Sequence, residues 1–109
     1  GVLRDEKSAT VFRAAAKDKD LEIRLAGLWG LLRISSSSDA KLLLDTSREE
    51  KGWGRIKSTG YCLQLAEALV EKGKKKEAAT IYESLNKTRT SDSESHVREA
   101  CNRGLAKLG

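Results

Sequence analysis

Proline and methionine are absent from this 109-residue chain, and only 5% of its residues are aromatic. Without proline no helix interior carries that residue's break, and with Ala, Leu, Lys and Glu dominant the composition suits helices and argues against a sandwich or barrel. The two cysteines, Cys62 and Cys101, are too few for a disulfide framework, and neither belongs to a CxxC pair. The one histidine, His96, has no second histidine or nearby cysteine at ligand spacing, so no zinc site is expected. No apolar run reaches the length needed to cross a bilayer, because the longest stretches are broken by Arg33, Gln64 and Glu67. The chain starts with Gly and has neither a charged n-region nor an apolar h-region there. It is therefore expected to be a piece of a longer polypeptide, and its compartment is left open.

What is present is 39% hydrophobic residues beside 34% charged ones, the mixture that amphipathic helices require. The length suits a single domain spanning residues 1–109. The net charge of +5 is uneven, with 10 basic and 9 acidic residues in 1–54 against 11 and 7 in 55–109. Its focus is Lys72-Gly73-Lys74-Lys75-Lys76, either a solvated turn between helices or a surface for phosphates or an acidic partner.

Two distant segments spell nearly the same helix: Ile23 to Ile34 and Val97 to Leu108 each carry a β-branched residue, then Arg, then small residues three and four places after the first, with a closing aliphatic. Upstream, Asp18 and Asp92 each precede that Arg by six residues. The spacing from Ile23 to Val97 is 74 residues, twice 37, which predicts a middle repeat with its second helix near position 60. The first helix is predicted over Leu3 to Lys17. Asp20 caps a second that ends at Ile34 before Ser35 to Ser38. Asp39 to Leu44 reads as a short helix and Asp45 to Gly54 as a loop. A longer helix then runs from Arg55 or Ile56 to a C-cap at Gly73, followed by helices over Lys75 to Thr88 and Val97 to Leu108 with a turn at Thr90 to Ser95. The fold expected is all-α, a solenoid of about three antiparallel helical hairpins.

The pattern Asp-x-Asp/Glu-x-x-aliphatic-Arg, small, small, small-Leu and a closing aliphatic, as it stands in Asp18 to Ile34 and Asp92 to Leu108, resembles the HEAT repeat, including phycobilisome-lyase-like repeats. The resemblance implies an Asp–Arg ladder between adjacent turns, which makes Asp18, Arg24, Asp92 and Arg98 structural. Around Ile56-Lys57-Ser58-Thr59-Gly60 the Asp is lacking, and Leu65-Ala66, Leu69, Gly73, Ala78, Tyr82 and Leu85 are instead similar to a tetratricopeptide hairpin without its proline. Both resemblances imply an α-solenoid, and neither fixes a function.

Where the last repeat has Glu99, Asn102, Arg103 and Ala106, the first has Leu25, Leu28, Trp29 and Leu32. A helix apolar on both faces must be covered on both: by the Gly1 to Ser8 segment, by a preceding repeat or by a partner. These four residues are the candidate partner-binding set of a non-catalytic interaction or scaffolding module, whose partner is another protein or adjacent repeats of the same polypeptide. The alternative is nucleic-acid binding through Lys72, Lys74, Lys75 and Lys76 with Trp53 stacking on bases. Trp53 and Tyr61 lie near Arg48, Lys51, Arg55 and Lys57 in the sequence, a mix that suits stacking or the anchoring of a loop. Catalysis is not expected. Glu49 with Glu50 and Glu67 with Glu71 lack a cleft that would shift their pKa values, Ser35 to Ser38 lacks a nucleophile elbow, and Gly52-Trp53-Gly54 lacks the Lys-Ser/Thr of a phosphate loop. No cofactor is implied.

Overall fold

A computed structural model describes residues 2–35 and 37–108, with side chains from residue 6 onward. Gly1, in the segment offered above as a cover for the second helix, Ser36, in the serine run that follows that helix, and Gly109, the last residue of the expected domain, lie outside the described residues. Six α-helices follow in order: α1 (Val2–Ala15), α2 (Leu21–Ile34), α3 (Ala40–Glu49), α4 (Gly52–Glu71), α5 (Lys75–Thr88) and α6 (Ser95–Leu108), with 3-10 turns at Ser37–Asp39 and Asp92–Glu94; no strand occurs among the described residues.

Local chemistry sets most of these boundaries. Asp20 is the N-cap of α2, its carboxylate accepting from the Glu22 amide at 2.8 Å, and Ser35 closes the helix in a left-handed conformation (φ 55°). Gly73 (φ 79°) ends α4, with its amide donating to the Val70 carbonyl and that of Lys74 to Leu69. Two expectations need correcting. Asp45 to Glu49 continue α3 instead of forming a loop, because Leu43 and Ser47, one turn apart, are both buried while the polar residues lie outward, among them the Lys41–Asp45 pair at 2.7 Å. For its part α4 starts at Gly52, three residues before Arg55.

Consecutive helices pack as pairs, α1 on α2, α3 on α4 and α5 on α6, while α2 also packs on α4 and α5 on both α3 and α4. The slab they form measures 36 × 32 × 14 Å. Its core combines Leu28, Leu31, Leu43, Leu65, Leu69, Ile81 and Leu85 with Cys62 and Cys101, and both thiols are free. Glycine brings α1 and α2 close together. A Cβ on Gly27 would come within 2.6 Å of the Ala16 nitrogen and the Phe12 oxygen, and one on Gly30 within 2.5 Å of the Phe12 ring. Gly104 meets the Tyr82 ring of α5 in the same way, at 2.4 Å.

Arginines tie the pairs together. In the first turn of α2, Arg24 donates through Nη1 to the carbonyls of Asp18 (3.0 Å) and Lys19 (2.8 Å), while its Nε and Nη2 grip Glu50 at 2.5 and 3.1 Å. Arg55 repeats this in α4, with Nη1 on the Arg48 carbonyl (2.6 Å) and Nε and Nη2 on Glu94 (2.8 and 3.3 Å). Arg98 repeats the anchoring half, donating to the carbonyls of Arg89 and Ser91 at 2.7 and 2.8 Å. The ladder expected from Asp and Arg thus runs from Arg to Glu of the next turn, because the guanidinium fork matches a carboxylate two-pronged only where one arrives end on. Asp18 instead accepts from the Asp20 amide at 2.8 Å. A further bond, Arg13 to Asp39 at 2.7 Å, joins α1 to the start of α3.

Among the described residues one cation is buried almost wholly: Arg89 is 1% exposed. Its donors meet neutral hydroxyls, Nε to Thr59 (3.1 Å), Nη1 to Thr88 (2.6 Å) and Nη2 to Ser47. Those hydroxyls belong to α4, α5 and α3, so the guanidinium is a hub for three helices. Burial pushes its pKa below the ordinary arginine value, helped by the positive charge of Arg55.

Candidate interaction groove

Between α2 and α4 runs an open groove of about 530 Å³, lined by Glu22, Leu25, Ala26, Trp29, Trp53, Lys57, Tyr61 and Gln64. Helical spacing places them. Leu25 and Trp29 are one turn apart on α2, and Trp53, Lys57, Tyr61 and Gln64 recur at three- and four-residue steps along α4. Tyr61 is largely buried and forms the floor, its ring tilted 43° against that of Trp29 with centroids 5.7 Å apart. The Lys57 ammonium lies 5.9 Å from the Tyr61 ring centroid. Trp29 (44% exposed) and Trp53 (55%) stand as exposed rims. Burial raises the Tyr61 hydroxyl above its ordinary pKa, and the nearby Glu22 charge adds to the shift.

Of the four residues singled out on α2, the structure leaves only Trp29 at the surface. Leu28 and Leu32 are core, and Leu25 is buried with only its edge on the groove floor. The helix is apolar all round because α1 covers one side through Gly27 and Gly30 and α4 covers the other. Ile23, expected to share the buried stripe of Val97, is 43% exposed where Val97 is 5%. Val97 lines the cleft beside Gly60 and Leu63 of α4, whereas no described helix lies on the corresponding flank of α2.

The basic run does not join Trp53. Lys72, Lys74, Lys75 and Lys76 are exposed at the far end of α4 and the start of α5. Eighteen residues of helix lie between Trp53 and Lys72, which stand about 28 Å apart at the usual rise. Lys72 is itself tied to the Ser35 carbonyl at 3.4 Å. Arg55 and Glu50, read above as parts of a basic cluster and a carboxylate pair, are rungs of the ladder. His96 lies on a second cleft, between α4 and α6, with Ile56 and Leu63. Among the described residues no group of three or more His, Cys, Asp or Glu side chains is placed to hold a metal ion, and no helix is long and apolar enough to cross a membrane.

Gln64 as a lining residue, Arg55 as the middle rung and Arg89 as the buried hub carry no recognisable motif. Two signals do stand in the sequence. Arg55 falls 31 residues after Arg24 and 43 before Arg98, unequal steps that a fixed period hides. The first helices of the outer pairs also share Ala-Thr-aliphatic-aromatic, Ala9-Thr10-Val11-Phe12 and Ala79-Thr80-Ile81-Tyr82, and in both the Thr hydroxyl donates to the carbonyl four residues back at 3.0 Å. No protein-family model, curated protein or solved structure matches the chain.

Proposed function

We propose that this chain is a HEAT-like α-solenoid acting as a non-catalytic interaction module, and that it holds a segment of a protein partner in the groove between α2 and α4. The observation that carries this reading is the pair of tryptophans, Trp29 and Trp53, exposed on opposite walls of a groove whose aromatic floor, Tyr61, is already buried and packed against Trp29. Large rigid rings that protrude before binding lose little entropy on contact, which is why such residues dominate interface energetics. Glu22 and Lys57 give the groove one charge of each sign, suited to a segment with apolar anchors flanked by both basic and acidic residues. The groove offers no thiol or imidazole, and its one hydroxyl has a raised pKa, so its chemistry favours holding over reacting.

A displayed peptide library selected on the full chain tests this. The expected result is peptides with apolar anchors whose affinity falls at least about tenfold in Trp29→Ala and Trp53→Ala, as expected for hot-spot aromatics, and weakens only slightly as salt rises. The reading is overturned if no peptide is enriched, if enriched peptides ignore both substitutions, or if binding is confined to nucleic acid and collapses as salt rises.

A further inference from the structure

The three helix pairs are not equivalent at their outer faces, and the difference defines a second surface. Superposing the repeats on Arg24 and Arg98, and on Phe12 and Tyr82, matches Val11 with Ile81, Ala15 with Leu85 and Ile23 with Val97. In the last pair these positions are sealed where α5 and α6 meet the preceding pair: Ile81 is 1% exposed and Val97 5%. In the first pair Val11 (65%) and Ile23 (43%) are open, and Ala15 is half-buried. The opposite end differs. Where α2 buries Leu25, Leu28 and Leu32, α6 carries Glu99, Asn102 and Ala106, so the face beyond α6 is polar although Arg98 is anchored there as a rung.

The chain itself shows what seals such a face. Ile81 and Val97 are covered by a helical hairpin whose second helix sends a first-turn arginine, Arg55, onto Glu94 four residues ahead of Arg98. Asp20 stands four residues ahead of Arg24, the same place, and one of its carboxylate oxygens caps α2 through the Glu22 amide. We infer that the outer face of α1 and α2, with Val11 and Ile23 as its apolar contacts and Asp20 as its acceptor, takes a further helical hairpin bearing an arginine in the first turn of its second helix, so that the stack is extended at this face. The inference rests on the solenoid reading above but not on the groove. Loss of peptide binding with the hairpin still docked would overturn only the groove, and the converse would overturn only this face.

The test joins a second copy of residues 37–74 to Asp5, so that Gly73 and Lys74 lead into α1 as they lead into α5. The expected result is a rise in Tm of about 5 °C or more, the scale of one added interface in a domain of this size. Amide exchange at Val11 and Ile23 should slow by about tenfold or more. The double substitution Val11→Glu and Ile23→Glu should abolish both gains, while moving Tm of the unextended chain by less than about 2 °C, because exposed positions tolerate change. An added segment that exchanges as unfolded chain, with α1 and α2 unaltered, would overturn the proposal. A dimer of the unextended chain that the double substitution dissolves would overturn it in favour of a second copy as occupant.

Discussion

The helical glycines differ in what surrounds them, and so in what a side chain there would do. At Gly27 a methyl group would strike backbone atoms of α1, which cannot swing aside, whereas at Gly60 nothing lies within 4 Å. Gly27→Ala should therefore cost about 2–3 kcal/mol through overpacking. The same change at Gly60 should stabilise α4 by about 0.5–1 kcal/mol through helix propensity. Urea unfolding of the two variants checks this pair, and equal effects would mean that α1 does not lie against Gly27. The pattern of small residues on α2 and α6 is visible in the sequence, but the rings they receive, Phe12 and Tyr82, are not. Sequence periodicity shows that a face is small without showing what fills it.

Among the elements, α2 and α5 were fully legible, because a capping Asp, a polar stop and a glycine turn mark their ends locally. The C-terminal half of α3 was not, since its polar residues suggest a loop until Ser47 is seen beneath Arg89. The middle rung was also hidden, although Arg55 ties three helices together. It donates to the carbonyl ends of α3 and α5, through Arg48 and Thr88, and to Glu94 ahead of α6. Arg55→Lys should cost about 1.5–3 kcal/mol, because an ammonium cannot reproduce the fork. That pairing holds the Glu94 carboxyl below the ordinary carboxylate value, with the Ser91 hydroxyl contributing. A group whose pKa is lowered on folding stabilises above its unfolded value and loses that stabilisation as pH falls through the folded one. Stability of the parent chain should therefore fall with acidification below about pH 4.5, the ordinary glutamate value, and Arg55→Lys should flatten that fall. An acid limb of unchanged slope would show that the rung is energetically silent.

Over the whole molecule the core is closed around two thiols and a buried cation, which gives a probe of global opening. Burial pushes both Cys62 and Cys101 up to about 11, so neither supplies thiolate at pH 8, and both are shielded from reagent. Iodoacetamide should leave the native chain unmodified at pH 8 and label both cysteines at the rate of unfolding once urea is added. Rapid labelling of native Cys62 would mean that the packing of α3 on α4 around Ser47 is loose. Similar reasoning separates the two readings of the surface. The lysine cluster and Trp53 are near enough in sequence to suggest one site, yet a straight helix of 20 residues puts them at opposite ends.

By itself the sequence determined that this protein is helical, where most helices start and stop, and that its second and last helices share one pattern, because caps, turns and apolar periodicity act over a few residues. Only the tertiary structure decided which apolar residues are core and which are surface, sending Leu28 and Leu32 inward and leaving Trp29, Trp53 and Ile23 outside. Only it paired Arg24 with Glu50 and Arg55 with Glu94. The reason is geometric: burial and ion pairing depend on which neighbour covers a face, and that neighbour lies tens of residues away along the chain.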